Sequence, residues 1–172
     1  MKNLMNQPTN KQKGFTLIEL VVVIVILGIL AVTAAPKFID LSSDAHTGTL
    51  NAINASMQSA ATLVHSKSLI AGNDKSSTAT VKVNGTDVNI VYGYPKAAKA
   101  DWDNLLDVDT GSNFQDADIS GTPPSYSIYA NKLKPTAPAT ADKCSVQYKE
   151  ATATGSGTTL VITAPTYVTT DC

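Results

Sequence analysis

The sequence predicts an α+β fold: a long amino-terminal α-helix, apolar in its first half and amphipathic in its second, packed on a small antiparallel β-sheet head. Three observations carry this expectation. Residues 15–35, FTLIELVVVIVILGILAVTAA, hold a single charge, Glu19. Leu50, Ile53, Met57, Ala60 and Val64 then recur at helical spacing along one face. Beyond Gly72 the pattern changes to short, β-branched, alternating runs separated by turn residues. The chain divides accordingly into residues 1–14, 15–35, 36–72 and 73–172.

Residues 1–14, MKNLMNQPTNKQKG, are polar and basic. A secretory signal peptide places its apolar core before the cleavage site; here Lys11, Lys13 and Gly14 come first and the apolar run follows. The lysines favour a cytoplasmic position for this segment. A cut after Gly14 would leave the helix on the mature chain. At about 1.5 Å per residue, residues 15–35 make roughly 31 Å of helix, the thickness of a bilayer hydrocarbon core. An uncleaved single-pass anchor is the alternative. The abrupt change between Gly14 and Phe15, the acid at Glu19 and the density of Val and Ile argue against it.

Glu19 is the informative residue. A carboxylate within an apolar span costs about 2.5 kcal/mol or more at mid-helix and is kept where it finds a partner. It stands one helical turn after Phe15, close to the membrane edge. Cleavage would free the Phe15 amine, and that cation could neutralise Glu19 of a neighbouring subunit. Such a pair adds little net stability, but breaking it strands a charge, so it selects register.

The run GFTLIELVVVIVILGILAVTAAPKF resembles the prepilin motif of type IV pilins: glycine, then phenylalanine, then glutamate four positions on, then an apolar helix. The resemblance implies that a prepilin peptidase cuts between Gly14 and Phe15 and methylates the amine of Phe15. It implies that Glu19, with Phe15, guides docking into a growing filament. It also implies that the helix between Gly28 and Pro36 is extended or melted in the assembled filament. On the residues alone, proline removes a hydrogen bond and kinks a helix, and Gly28 costs about 1 kcal/mol relative to alanine; apolar membrane helices tolerate both. The stretch LVVVIVILGILAVTAAPKFIDLSSDA is especially similar to the mannose-sensitive haemagglutinin (MSHA) pilin branch.

The amphipathic half is expected to end at Gly72-Asn73, with Asn51, Asn54, Ser59 and Ser66 on its polar face and a bend possible at Gly48. In the head, TATVKV, Asn84-Gly85 and DVNIVY predict a hairpin with a type I′ turn. Residues 96–106 predict a short helix in which Trp102 is a packing anchor. Strands are expected at 125–130, 145–149 and 158–163, the last, TTLVIT, being the strongest.

Cys144 and Cys172 are the two cysteines. An even count in an exported chain favours a disulfide; two unrelated thiols or half a metal site are the alternatives. His46 and His65 lie far upstream, which counts against zinc. A bridge would close the last 29 residues and contribute about 3–4 kcal/mol in the chain-entropy model. A carboxy-terminal disulfide loop is common in the pilin family and often forms subunit-specific surface.

Asp101, Asp103, Asp107, Asp109, Asp116 and Asp118 crowd one stretch. Asp107, Asp109 and Asp118 fit positions 1, 3 and 12 of a calcium loop, but Gly111 and Ser112 fall at positions 5 and 6, and position 12 lacks glutamate. A solvated acidic loop is the favoured reading, with no metal.

Composition narrows the function. All 13 basic residues are lysine, and without the leader 10 lysines face 14 acids. The absence of arginine and the acidic balance count against base-specific nucleic-acid recognition. No GxSxG, HExxH, P-loop or paired catalytic carboxylates occur, so neither an enzyme nor a cofactor is expected. The resemblance implies a structural, major subunit of a type IV pilus acting in attachment, adhesion and biofilm formation. Its implied partners are identical subunits, the prepilin peptidase, the inner-membrane assembly machinery and, before assembly, lipid. It implies an inner-membrane precursor and then an extracellular filament. A type II secretion pseudopilin, a DNA-uptake pilin and a minor pilin are the rivals. The cysteine pair and the poor calcium loop argue against the first.

Overall fold

The computed structural model describes residues 14–130 and 144–172. Lys2, Lys11, Lys13 and the rest of the expected leader before Gly14 lie outside the described residues. The chain forms two compact units, residues 1–41 and 42–172.

Helix α1, Leu17–Ala71, runs through both Gly28 and Pro36. In the first unit, its Leu17–Ala34 stretch meets the length and hydropathy of a membrane span and has no buried residue. In the second unit, Leu50, Ile53, Met57, Ala61, Val64 and Ser68 are buried, an i, i+3, i+4 stripe. The sequence expectation placed Ala60 on that face. Ala60 is only half-buried and Ala61 takes the central place, because on a 3.6-residue helix position 61 lies about 40° from Met57 around the axis and position 60 about 60°. The helix ends as Gly72-Asn73 predicts. Gly72 takes φ +70°, its N–H donates to Leu69, and the Asn73 N–H donates to Ser68, which is a Schellman cap.

The head carries nine strands among the described residues: β1 Ala79–Val83, β2 Thr86–Val91, β3 Tyr94–Pro95, β4 Phe114–Ile119, β5 Ser125–Ala130, β6 Ser145–Lys149, β7 Thr152–Thr154, β8 Val161–Thr163 and β9 Thr166–Thr170. All pairings are antiparallel, in the orders β1-β2-β3, β4-β5-β6-β9 and β7-β8. The α+β class of the sequence reading is therefore the observed one. The β1–β2 turn is Asn84-Gly85, with φ of 51° and 85°, as a type I′ hairpin requires.

Two apolar clusters unite the second half of α1 with the sheets. Leu50, Ile53, Met57 and Ala61 meet Phe114, Tyr126, Ile128, Val146, Tyr148 and the fully buried Trp102. Val64 meets Val81, Val83, Val88 and Ile90. The Trp102 ring lies parallel to Tyr126 and edge-on to Tyr148, at centroid distances of 5.9 and 4.6 Å. Such pairs add to the burial energy of the rings.

Three expectations need correction. The helix at 96–106 is only one turn, α2 Lys99–Trp102. Tertiary bonds replace its continuation: the Lys99 N–H donates to Asp118, and Asp101 turns away to accept from the backbone and side chain of Asn89. The acidic stretch is not all solvated loop. Asp116 and Asp118 lie on β4, where the Lys99 ammonium stands 2.6 Å from Asp116. The strand at 158–163 is split into a 3-10 turn, Gly157–Thr159, and the three residues of β8, with Val161 exposed. β-branched content sets strand propensity, but burial depends on what lies alongside.

Candidate functional site

Gly14, Phe15 and Thr16 precede the helix, and Phe15 is almost fully exposed. Local chemistry sets this boundary. The Thr16 hydroxyl accepts from the Glu19 N–H at 3.2 Å, while Glu19 Oε2 accepts from the Thr16 N–H at 2.8 Å and from its hydroxyl at 2.7 Å. This is a capping box, in which two otherwise orphaned donors are satisfied reciprocally. The carboxylate also lies at the positive end of the helix dipole. Sequence reasoning treated Glu19 only as an acid awaiting an external partner and missed Thr16. The Thr-x-x-Glu spacing before an apolar run is the signature that could have found it.

The box does not exhaust the carboxylate. Both of its hydrogen bonds to Thr16 converge on Oε2. Phe15, Glu19, Leu20 and Val23 line one open, apolar groove beside it. The structure thus brings Phe15 and Glu19 together at the helix entrance. Gly28 lies in the middle of the apolar stretch with open space around its Cα, and Pro36 lies two residues beyond its end.

At the other end of the chain, Cys144 and Cys172 form a disulfide. The bridged ends are further tied by the Cys144 N–H to Asp171, and by the Cys172 N–H to the Thr47 hydroxyl on α1. Asn54 donates to Thr169, three residues before Cys172. Two polar side chains of the helix therefore hold the carboxy-terminal strand.

Asp103 and Asp116 meet on the Lys99 ammonium rather than around a cation site. Asp118 accepts from the Lys99 N–H and Asp109 caps its own turn at Gly111. Among the described residues no group of three His, Cys, Asp or Glu side chains is placed to hold a metal ion. The two histidines serve packing: His65 stacks on Tyr94 at 4.2 Å and His46 meets the edge of Phe114.

Comparison with known proteins bears on the amino-terminal segment. Residues 9–35 match the family model for the prokaryotic N-terminal methylation motif. The chain is 50% identical over 50 residues to the Type IV narrow pilus major component PilA5 of Thermus thermophilus. That match covers 29% of this chain and 43% of the relative, so the chain spans less than half the length of the curated relative it matches. No solved structure matches the chain. The amino-terminal segment thus carries a methylation motif and is similar to that of a type IV pilus component.

Proposed function

We propose that the chain is a structural, major subunit of a type IV pilus. The observation that carries this is the apolar Leu17–Ala34 helix, entirely unburied, entered through Gly14, Phe15 and the Glu19 capping box. A helix of this kind needs a bilayer or other copies of itself around it. Both are met in turn by a precursor held in the inner membrane and then transferred into an extracellular filament. In this reading residues 1–14 are a leader and a prepilin peptidase cuts between Gly14 and Phe15 and methylates Phe15. Glu19 then docks against the amine of Phe15 in the next subunit, under the inner-membrane assembly machinery. Gly28 and Pro36 bound the stretch that loosens in the filament.

The head, residues 73–172, with the Cys144–Cys172 loop, supplies the exposed surface. Its role is contact and attachment rather than catalysis, consistent with adhesion and biofilm formation, and the extended similarity through residue 45 suits the MSHA branch. Mass spectrometry of filaments sheared from cells tests the reading. The expected subunit begins at methylated Phe15. A subunit beginning elsewhere, or its absence from sheared filaments, overturns it.

A further inference from the structure

The core of the head holds the chain's single tryptophan, Trp102, in a row of aromatic rings. It lies parallel to Tyr126 at a centroid distance of 5.9 Å and edge-on to Tyr148 at 4.6 Å, and Tyr148 stands 5.5 Å from the half-buried Tyr167. An indole and a phenol in such contact exchange an electron readily. Where an oxidation comes to rest is then decided by where a proton can go.

The three rings differ in that respect. The Trp102 Nε1–H is buried and meets no acceptor among the described residues, although a buried indole N–H usually finds one. An indole that loses one electron here keeps its proton, stays a cation and remains a strong oxidant. The Tyr148 hydroxyl donates to the Pro95 carbonyl at 2.6 Å. A peptide carbonyl accepts a hydrogen bond but is too weak a base to keep the proton. The Tyr126 hydroxyl donates to Asp116 Oδ2 at 3.2 Å, and a carboxylate can take the proton outright. The same oxygen accepts from Lys99 Nζ, which also donates to Asp103 Oδ1, so the ammonium keeps a counter-charge when Asp116 is protonated. Tyr148 is the nearer ring, but both rings contact the indole, and the proton acceptor separates them.

We propose that Trp102, Tyr126 and Asp116 form a radical relay that moves one-electron oxidation off the indole. A diffusing oxidant of the carbonate-radical or azide-radical class takes one electron from Trp102 and becomes its closed-shell anion. Tyr126 then passes an electron to the indole cation and its phenolic proton to Asp116. The products are an intact indole, a neutral Tyr126 phenoxyl radical and a protonated Asp116. One electron from an ascorbate-class reductant, with the proton returned by Asp116, restores the phenol. The indole at the centre of the core is thereby spared ring oxidation.

The test is pulse radiolysis of the full-length chain in nonionic detergent, with azide radicals as the oxidant and transient absorption as the readout. With a single tryptophan, the indole signal reports Trp102 alone. The indole radical cation should appear first and convert to a tyrosyl radical at a rate independent of protein concentration. Tyr126→Phe should abolish the conversion, and Tyr148→Phe should leave it unchanged. Asp116→Asn keeps an acceptor but removes the base, and should slow the conversion about a hundredfold, the low end for a positioned proton acceptor. A neutral indole radical as the first species, or no indole radical at all, overturns the proposal. So does conversion that survives Tyr126→Phe or is lost in Tyr148→Phe. An intact disulfide and unchanged melting verify the fold of each variant. Should Tyr126→Phe melt early, Asp116→Asn is read against Tyr148→Phe: slowing by the first alone supports the relay, and any other pattern refutes it.

Discussion

The two halves of α1 share one backbone pattern and face opposite physical situations. In the second half, Leu50, Met57 and Val64 are completely buried against sheets of the same chain. In the first half, Leu17–Ala34 buries nothing, although it is far more apolar. At roughly 25 cal/mol per Å² of apolar surface, the second half draws its stability from within the chain. The first half can only gain it from outside. The difference shows which half belongs to the fold and which to the surroundings.

The largest effect is expected at the entrance of the first half. Glu19→Ala should abolish filament assembly while leaving the protein cleaved and membrane-inserted; electron microscopy and immunoblotting of cell fractions check this. Normal piliation would remove the docking role. In the head, Cys144→Ser with Cys172→Ser should cost about 3–4 kcal/mol of stability, the loop-closure value for this separation, measured by denaturant unfolding. Truncation then contrasts the halves directly. Leu50→Ala should destabilise the head by roughly 3 kcal/mol through a buried cavity, whereas Leu27→Ala, already 57% exposed, should change it by less than about 0.5 kcal/mol. Equal effects in the same unfolding assay would show that the first half is buried in the folded chain after all.

The smallest effect is alkaline. Burial raises the Tyr167 phenol to about 12, and burial likewise pushes Tyr126 and Tyr148 upward, with carboxylates, Asp116 beside Tyr126 and Glu150 near Tyr148, adding to it. A raised folded value means the folded state holds its proton longer than the unfolded one, whose tyrosines ionise near pH 10. The stabilisation is complete below about pH 10 and declines as pH rises toward 12 and beyond. Melting temperature against pH should therefore fall across that window, and a flat profile would contradict the burial of these rings.

Much of the head was legible because local rules sufficed. Asn84-Gly85 announced its turn through the positive φ that both positions need, and the 125–130 and 145–149 runs coincide with β5 and β6. β4 was not legible. Asp116 and Asp118 look like loop residues until Lys99, 17 positions away from Asp116, is brought beside them. Trp102 was recognisable as an anchor, but the parallel Tyr126 and edge-on Tyr148 that enclose it come from other strands. At the helix entrance the Thr16 cap is legible in the Thr-x-x-Glu spacing, where Glu19 acts as a hydrogen-bonding group as well as a charge.

The sequence by itself determined the elements whose causes are local: the apolar span behind Gly14, the amphipathic stripe, the Gly72-Asn73 stop and the β1–β2 turn. Periodicity, capping and φ preference act over a few residues and need no knowledge of neighbours. Only the tertiary structure decided which strands are buried. TTLVIT has the strongest strand composition yet ends in an exposed ribbon, while FQDADI holds a place in the main sheet. Burial is a property of what packs alongside, and that is set by contacts between residues far apart in the chain.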